Sequence, residues 1–317
     1  MKETRELSAR NRNGLQRFFF EITNKWEIYI LIVPAAIYLL IYGYFTLPYL
    51  AIAFQKYSFR TGIFSKFVGL QNFEYFFRSS WGWIVTRNTI VINVMFIIVG
   101  SAASIMFALM LNEIRAKKFL KTTQSIMLLP YFLSWVVVSY ILQGMLGTTN
   151  GLVNIVRESL GYEAISYYTE PKHWYVILAI TNIWKMAGYN TIIYLATITG
   201  IDESLYEAAK VDGGNRWHCL KYITLPLLFP TVIMLTLMSI GRIFYGNFGM
   251  MYALFQDNGI LMPVTEVIDT YVYRTFKLVS KPSLSTAIGL YQSVVGFILV
   301  FGTNTLVRKI YPDGALF

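Results

Sequence analysis

Charge is scarce in this chain. Only 14% of its 317 residues are Asp, Glu, Lys or Arg, too few to cover the surface of a water-soluble domain of that length. There is one cysteine, Cys219, so no disulfide framework exists. The two histidines, His173 and His218, lie far apart in different connections, which argues against a metal site or histidine-based catalysis. No GxxxxGK[ST] phosphate loop occurs, so the sequence carries no such signal for nucleotide hydrolysis. The long apolar runs hold no Asp or Glu. That disfavours a membrane enzyme built on paired carboxylates, and also a secondary transporter or channel, the rival class that an intramembrane acid would favour.

Hydrophobic residues supply 56% of the chain and aromatics 17%. Six runs reach the roughly 20 residues that a helix needs to cross a bilayer: 28–54, 87–112, 123–146, 174–198, 226–249 and 285–307. Backbone groups in lipid must be satisfied within the segment, so such runs predict helices. The expected fold is all-α: a six-helix polytopic domain over 28–307, with polar segments 1–27 and 308–317 on either side. The first run, bracketed by Pro34 and Pro48, is too long for a cleavable signal. Net charge is +10, but its distribution points to a membrane and not to nucleic acid. Fifteen Lys and Arg fall in the N-terminal segment, 113–122, 199–225 and the tail, against nine in the alternate connections. By the positive-inside bias, both termini are expected in the cytoplasm of a bacterial cell.

Small side chains at 100–104 (GSAAS) suit close helix packing. GTTNG at 147–151 and QDNG at 256–259 read as turns, and Phe18-Phe19-Phe20 as an interfacial cluster. The segment 201–226 differs in kind. Asp202 can cap a helix whose first turn Glu203 favours. Leu205, Ala208 and Ala209 share a face beside Glu207 and Lys210. Asp212-Gly213-Gly214 predicts a break, and Trp217, Leu220 and Ile223 a second short helix that Leu225-Pro226 ends.

These residues, EAAKVDGGNRWHCLKYITLP, resemble the EAA loop of binding-protein-dependent ABC importer permeases. The matches are Glu207, Ala208, Ala209, Asp212, Gly213, Ile223, Leu225 and Pro226. Gly214 stands where alanine is usual, which should loosen the turn, and Leu220 where phenylalanine is common. FVGLQNFEYFF at 67–77, RNTI at 87–90, NGLVN at 150–154 and VIDTYVYRTF at 267–276 are similar to the sugar-importing branch, the larger maltose-type subunit and permeases for complex oligosaccharides in particular. The resemblance implies that 201–226 forms coupling helices seated in a groove of an ATP-binding subunit, with Glu207 meeting a basic residue there. It implies as partners a second homologous permease, two ATP-binding subunits holding Mg-ATP, and an extracytoplasmic solute-binding protein. It implies no cofactor in this chain.

Two cations fall inside the runs. Lys185 shares a helical face with Thr181, Asn182 and Tyr189, and Arg242 with Ser239, Tyr245 and Gly246, followed by Asn247. An intramembrane cation costs about 3 kcal/mol on insertion scales and so faces a cavity or a partner. Hydrogen-bonding groups interleaved with aromatics suit an oligosaccharide pathway, and the cations a uronate-containing one. The alternative is that Lys185 and Arg242 pair with carbonyls or with the partner permease. Arg87 reads as a snorkelling interfacial anchor.

Overall fold

The computed structural model describes residues 26–310. The N-terminal cluster at Phe18–Phe20 and the last seven residues lie outside them. Helix α1 (Trp26–Leu39) runs through a π-turn (Leu40–Tyr44) into a 3-10 segment (Leu47–Phe54). A hairpin of β1 (Gln55–Ser58) and β2 (Gly62–Phe67) follows. The chain continues through α2 (Gln71–Arg78), α3 (Ser80–Asn112), α4 (Lys117–Phe132), α5 (Trp135–Leu146), α6 (Leu152–Ser159) and α7 (Trp174–Thr199). Then come α8 (Glu203–Val211), α9 (Arg216–Cys219), α10 (Leu225–Ile240), α11 (Phe248–Phe255), α12 (Met262–Thr265), α13 (Ile268–Lys277) and α14 (Pro282–Ile310).

The fold is predominantly helical, with the antiparallel hairpin as an addition to the all-α expectation. Among the described residues four helical stretches are long and apolar enough to cross a membrane, Tyr29–Phe54, Ser80–Asn112, Arg216–Ile240 and Pro282–Lys309. There are five if α4 and α5 count as one broken span. The run at 174–198 forms a 26-residue helix, yet it does not reach that apolarity. It carries Thr181, Lys185 and Thr191 inward, all buried, because it is the helix against which α3 and α4 pack.

Two runs depart from their expected form. The run 123–146 is bent by 98° between α4 and α5. Pro130 removes one backbone donor from the last turn of α4, and Leu133 and Ser134 are extended, with Ser134 capping α5. The run 226–249 stops short, its helix closing at Gly241 with a new one starting at Phe248. At its other end it is continuous with α9 through a π-turn at Leu220–Thr224. Pro226 therefore sits inside one long helix instead of ending a separate short one. The π-turn hands the Leu225 amide to the Leu220 carbonyl, which shifts the ladder one residue ahead of the amide that proline lacks.

The centre of the bundle is the crossing of α3 and α7. Gly100 and Ser104 of the GSAAS stretch are buried there, and the Thr191 hydroxyl donates to the Ser104 carbonyl at 3.3 Å. One turn back along α7 a Cβ at Gly188 would lie 2.0 Å from the Met127 carbonyl oxygen of α4, so α4 rests on bare backbone. One apolar cluster joins Ile92, Trp174, Leu178 and Met251; another, toward the C-terminal ends of α3 and α7, joins Ala108, Leu111, Tyr194 and Leu228.

Gly188→Val should thus force α4 off α7 and destabilise the chain by about 1–3 kcal/mol, the usual cost of overpacking. The thermal midpoint of detergent-solubilised protein checks this; an unchanged midpoint would show that the two helices do not meet there.

Candidate functional site

The loop between α7 and α10 folds from its own sequence. The Asp202 carboxylate accepts the Ser204 amide at 2.9 Å and starts α8. That bond holds the Asp202 carboxyl below its ordinary value. Glu207 and Ala208 lie on the exposed surface of α8, with Ala209 half-buried. The helix ends at Asp212, and Gly213 takes φ 80°, where a side chain would be strained. The Gly214 amide then returns to the Ala209 carbonyl at 2.7 Å. A Cβ on Gly214 would stand 2.6 Å from that same oxygen. Glycine at 214 therefore does not loosen the turn; this closure requires it. Asn215 caps α9 through the His218 amide at 2.9 Å.

The second leg is tied to the first by Tyr206 and Thr224, whose hydroxyls lie 3.0 Å apart. Arg216 also reaches Glu113 at the end of α3, at 3.3 Å. Between the legs and the ends of α3 and α7 is an open cavity of about 1290 Å³, bordered by Glu113, Arg115, Tyr206, Glu207, Lys210 and Trp217. Leu225 and Pro226, the last residues of the motif, do not border this cavity and are exposed on the side of α10.

Lys185 is 3% exposed. Its ammonium donates to the carbonyls of Pro130 at 3.1 Å, of Tyr131 at 2.9 Å and of Leu133, with the Trp135 ring 5.1 Å away. All three of its hydrogens are committed to carbonyls at the α4–α5 bend, where, among the described residues, only the Pro130 carbonyl also takes a backbone amide, that of Leu133. Its helical neighbours differ. Tyr189 is 46% exposed and stacks flat on Tyr131 at 4.8 Å. Asn182 is half-buried, its amide oxygen near Gly100, and Thr181 is buried.

The second set shares no helical face, because α10 has already ended. Arg242, Tyr245 and Asn247 stand on the irregular link between α10 and α11. Arg242 is exposed and has no side-chain partner among the described residues. Tyr245 is 43% exposed, and Asn247 caps α11 through the Met250 amide at 3.0 Å. The link is held from behind. Asn93 of α3 donates to the Ile243 carbonyl at 2.9 Å, and Gln292 of α14 to the Phe244 carbonyl at 2.7 Å. The Asp269 carboxylate takes the Gly246 amide. Burial pushes the Asp269 carboxyl above its ordinary range, with the Gly246 amide and Gln292 opposing. A Cβ at Gly246 would lie 2.7 Å from Val267.

Asn93, Gln292 and Asp269 escaped notice in the sequence. The signal for the first two was a lone amide inside an apolar run. Arg87 is exposed and donates to the Pro263 carbonyl at 3.0 Å, beside Asn88, which reaches the Pro263 and Glu266 carbonyls at 3.1 Å each.

Removing the Lys185 ammonium would orphan buried carbonyls, at about 1–3 kcal/mol for an unsatisfied group. Lys185→Met should lower the thermal midpoint and the purified yield, whereas Arg242→Met should leave both unchanged. Equal loss in both variants would contradict the different settings of the two cations.

The chain resembles several known proteins along nearly its whole length. It is 34% identical to the polygalacturonan/rhamnogalacturonan transport system permease protein YteP of Bacillus subtilis (strain 168) over 300 residues, which is 94% of this chain and 93% of that one. It is 28% identical to the lactose transport system permease protein LacF of Rhizobium radiobacter, covering 93% and 94%. Among solved structures it matches a chain of a bacterial ABC transporter involved in the import of the acidic polysaccharide alginate, with a TM-score of 0.84 and 31% identity over 93% of this chain and 99% of that one. A chain of a bacterial alginate ABC transporter in complex with an alginate pentasaccharide-bound periplasmic protein matches with a TM-score of 0.83, again at 31% identity, over 93% and 98%. The family model for binding-protein-dependent transport system inner membrane components matches residues 100–311, from the middle of α3 through the Asp202–Pro226 corner to the end of α14, and the chain belongs to that family.

Proposed function

We propose that this chain is one transmembrane subunit of an ATP-driven importer that carries an acidic, uronate-containing oligosaccharide from an extracytoplasmic binding protein into a bacterial cytoplasm. The observation that carries the reading is the α10–α11 link. Non-helical backbone at membrane depth is tolerated only where it is buried in protein or lines a water-filled cavity. Here the inner side of the link is buried by Asn93, Gln292 and Asp269, while Arg242 and Tyr245 are exposed. The exposed side is the pathway. Arg242 supplies a cation for a carboxylate, Tyr245 and Tyr189 supply ring faces for pyranose rings, and Asn182 and Asn247 supply amides. Lys185 acts as a positioning residue: it fixes the α4–α5 bend and hence the Tyr131 ring on which Tyr189 stacks. Relatives named for rhamnogalacturonan and alginate transport support an acidic cargo.

In this reading α7 and the broken α4–α5 pair complete six crossings, and both termini and the Asp202–Pro226 corner face the cytoplasm. The open cavity at that corner lies where an ATP-binding subunit would seat. Glu207 offers it a charge, Ala208 and Ala209 a close approach, and Gly213 the bend. A second permease and a second ATP-binding subunit complete the transporter, and Mg-ATP is held by those ATP-binding partners.

Coupling is tested in reconstituted complexes. Glu207→Ala and Gly213→Pro should insert normally, yet lose most binding-protein-stimulated ATPase activity and uptake. Proline cannot reach the φ of 80° found at 213. Wild-type coupled activity in both would remove the corner from the ATPase contact. Cargo charge is tested with Arg242→Met. In water-lined surroundings of low dielectric an ammonium or guanidinium holds a carboxylate more tightly than in bulk. Uptake of a uronate oligomer should fall about tenfold or more, as expected for a lost charged contact of over 1.4 kcal/mol, with a neutral oligosaccharide of equal length little affected. Parallel loss for both sugars would overturn the charge-recognition role.

A further inference from the structure

The hairpin after the first apolar stretch has an outward face that no other described residue covers. Lys56 and Lys66 are direct cross-strand partners, so their side chains leave the sheet on the same side, along with Phe64 two residues away. Like charges directly opposite each other destabilise a two-stranded ladder. No acidic residue occurs between Gln55 and Phe67, and neither these lysines nor Arg60 at the turn has a carboxylate partner among the described residues. The aromatics are as open as the cations: Phe59 is 79% exposed, Phe64 87% and Phe67 70%.

The hairpin is nonetheless rigidly mounted. On its inner face Ser65 is buried, and its hydroxyl takes the Ser58 amide at 2.9 Å. The Tyr57 amide donates to the Ser283 hydroxyl at 2.9 Å. Asn72 clamps the carbonyls of Ala53 and Gln55 at 2.8 and 3.0 Å.

Its level along the bundle is set by both neighbours. The apolar stretch Tyr29–Phe54 has 26 residues, enough for about 39 Å of helix against a hydrocarbon core of about 30 Å. The hairpin starts where that stretch ends, and its contact on α14 is with the residue after Pro282, the first of the last crossing. A basic, phenylalanine-rich ribbon fixed where two crossings leave the bilayer has the composition of an interfacial anchor.

We propose that the Lys56–Phe67 hairpin lies in the headgroup layer of the outer leaflet, with Phe59 and Phe64 reaching toward the acyl chains and Lys56, Arg60 and Lys66 binding phosphates of anionic phospholipid. The inference rests on the chain spanning a membrane, not on the identity of its cargo. Held this way, the hairpin pins the outer ends of the first and last crossings to one depth.

The test places a nitroxide at Phe64→Cys in the Cys219→Ser background. The assembled complex is reconstituted into vesicles of phosphatidylcholine alone or with phosphatidylglycerol. Collision with oxygen should exceed collision with water-soluble nickel chelate at position 64, and the excess should grow with phosphatidylglycerol. Lys56→Gln with Lys66→Gln should abolish that growth. A nitroxide at Leu31→Cys, on the exposed side of α1, reads the membrane location independently, so failure there condemns the spanning assignment and not the hairpin alone. Nickel dominating at position 64 in both vesicle types, with Leu31→Cys still lipid-exposed, would overturn the proposal. Protection from nickel appearing only when the binding protein is added would overturn it too, in favour of a protein-docking face.

Discussion

The structure turns on backbone carbonyls that have no helix to bond within. In a bilayer each such group costs several kcal/mol unless a donor reaches it. At the bend between α4 and α5 the Lys185 ammonium reaches three carbonyls from the neighbouring helix, of which that of Pro130 also takes the Leu133 amide. One buried cation thus does two things. It neutralises the cost of the bend, and it ties the direction of α5 to α7, the helix on which α3 and α4 also rest.

The same device recurs with neutral donors. Asn93 and Gln292 hold the carbonyls of the α10–α11 link, and Asn88 those of Pro263 and Glu266. Asn154 gathers the carbonyls of Gly147, Thr148 and Ile165. An asparagine donates two hydrogens in a fixed plane, so it positions a loop as well as satisfying it. The short stretches that resemble the sugar-importing branch, at 67–77, 87–90 and 150–154, each contribute such a clamp: Asn72, Asn88 and Asn154. Their shared role is to let irregular chain exist beside apolar helices. Arg242 stands out at this link because it is charged, exposed and without a side-chain partner among the described residues.

Much of the fold was legible because runs such as 87–112 and 285–307 are unbroken in both composition and backbone. The Asp202 cap and the Gly213 break were legible too, since capping and positive φ are local chemistry. The α4–α5 bend was not, because Leu133 and Ser134 interrupt neither hydropathy nor length; only a donor from a distant helix makes the bend affordable. The early end of α10 was hidden for the same reason: Ile243 and Phe244 continue the apolar run while their carbonyls turn to Asn93 and Gln292. The face drawn through Ser239, Arg242 and Tyr245 assumed a helix that those two amides had replaced. The hairpin was missed because four- to six-residue strands leave little periodic signal beside a long apolar run.

The central claim is that the exposed side of the α10–α11 link faces water and solute, and not lipid. Arg242→Cys in the Cys219→Ser background, assembled in the full transporter, tests it through reaction with a hydrophilic, membrane-impermeant thiol reagent. The account predicts modification from the aqueous phase, slowed when binding protein loaded with a uronate oligosaccharide is supplied. Modification only by a lipid-soluble maleimide, at a rate that the loaded binding protein does not change, would contradict it.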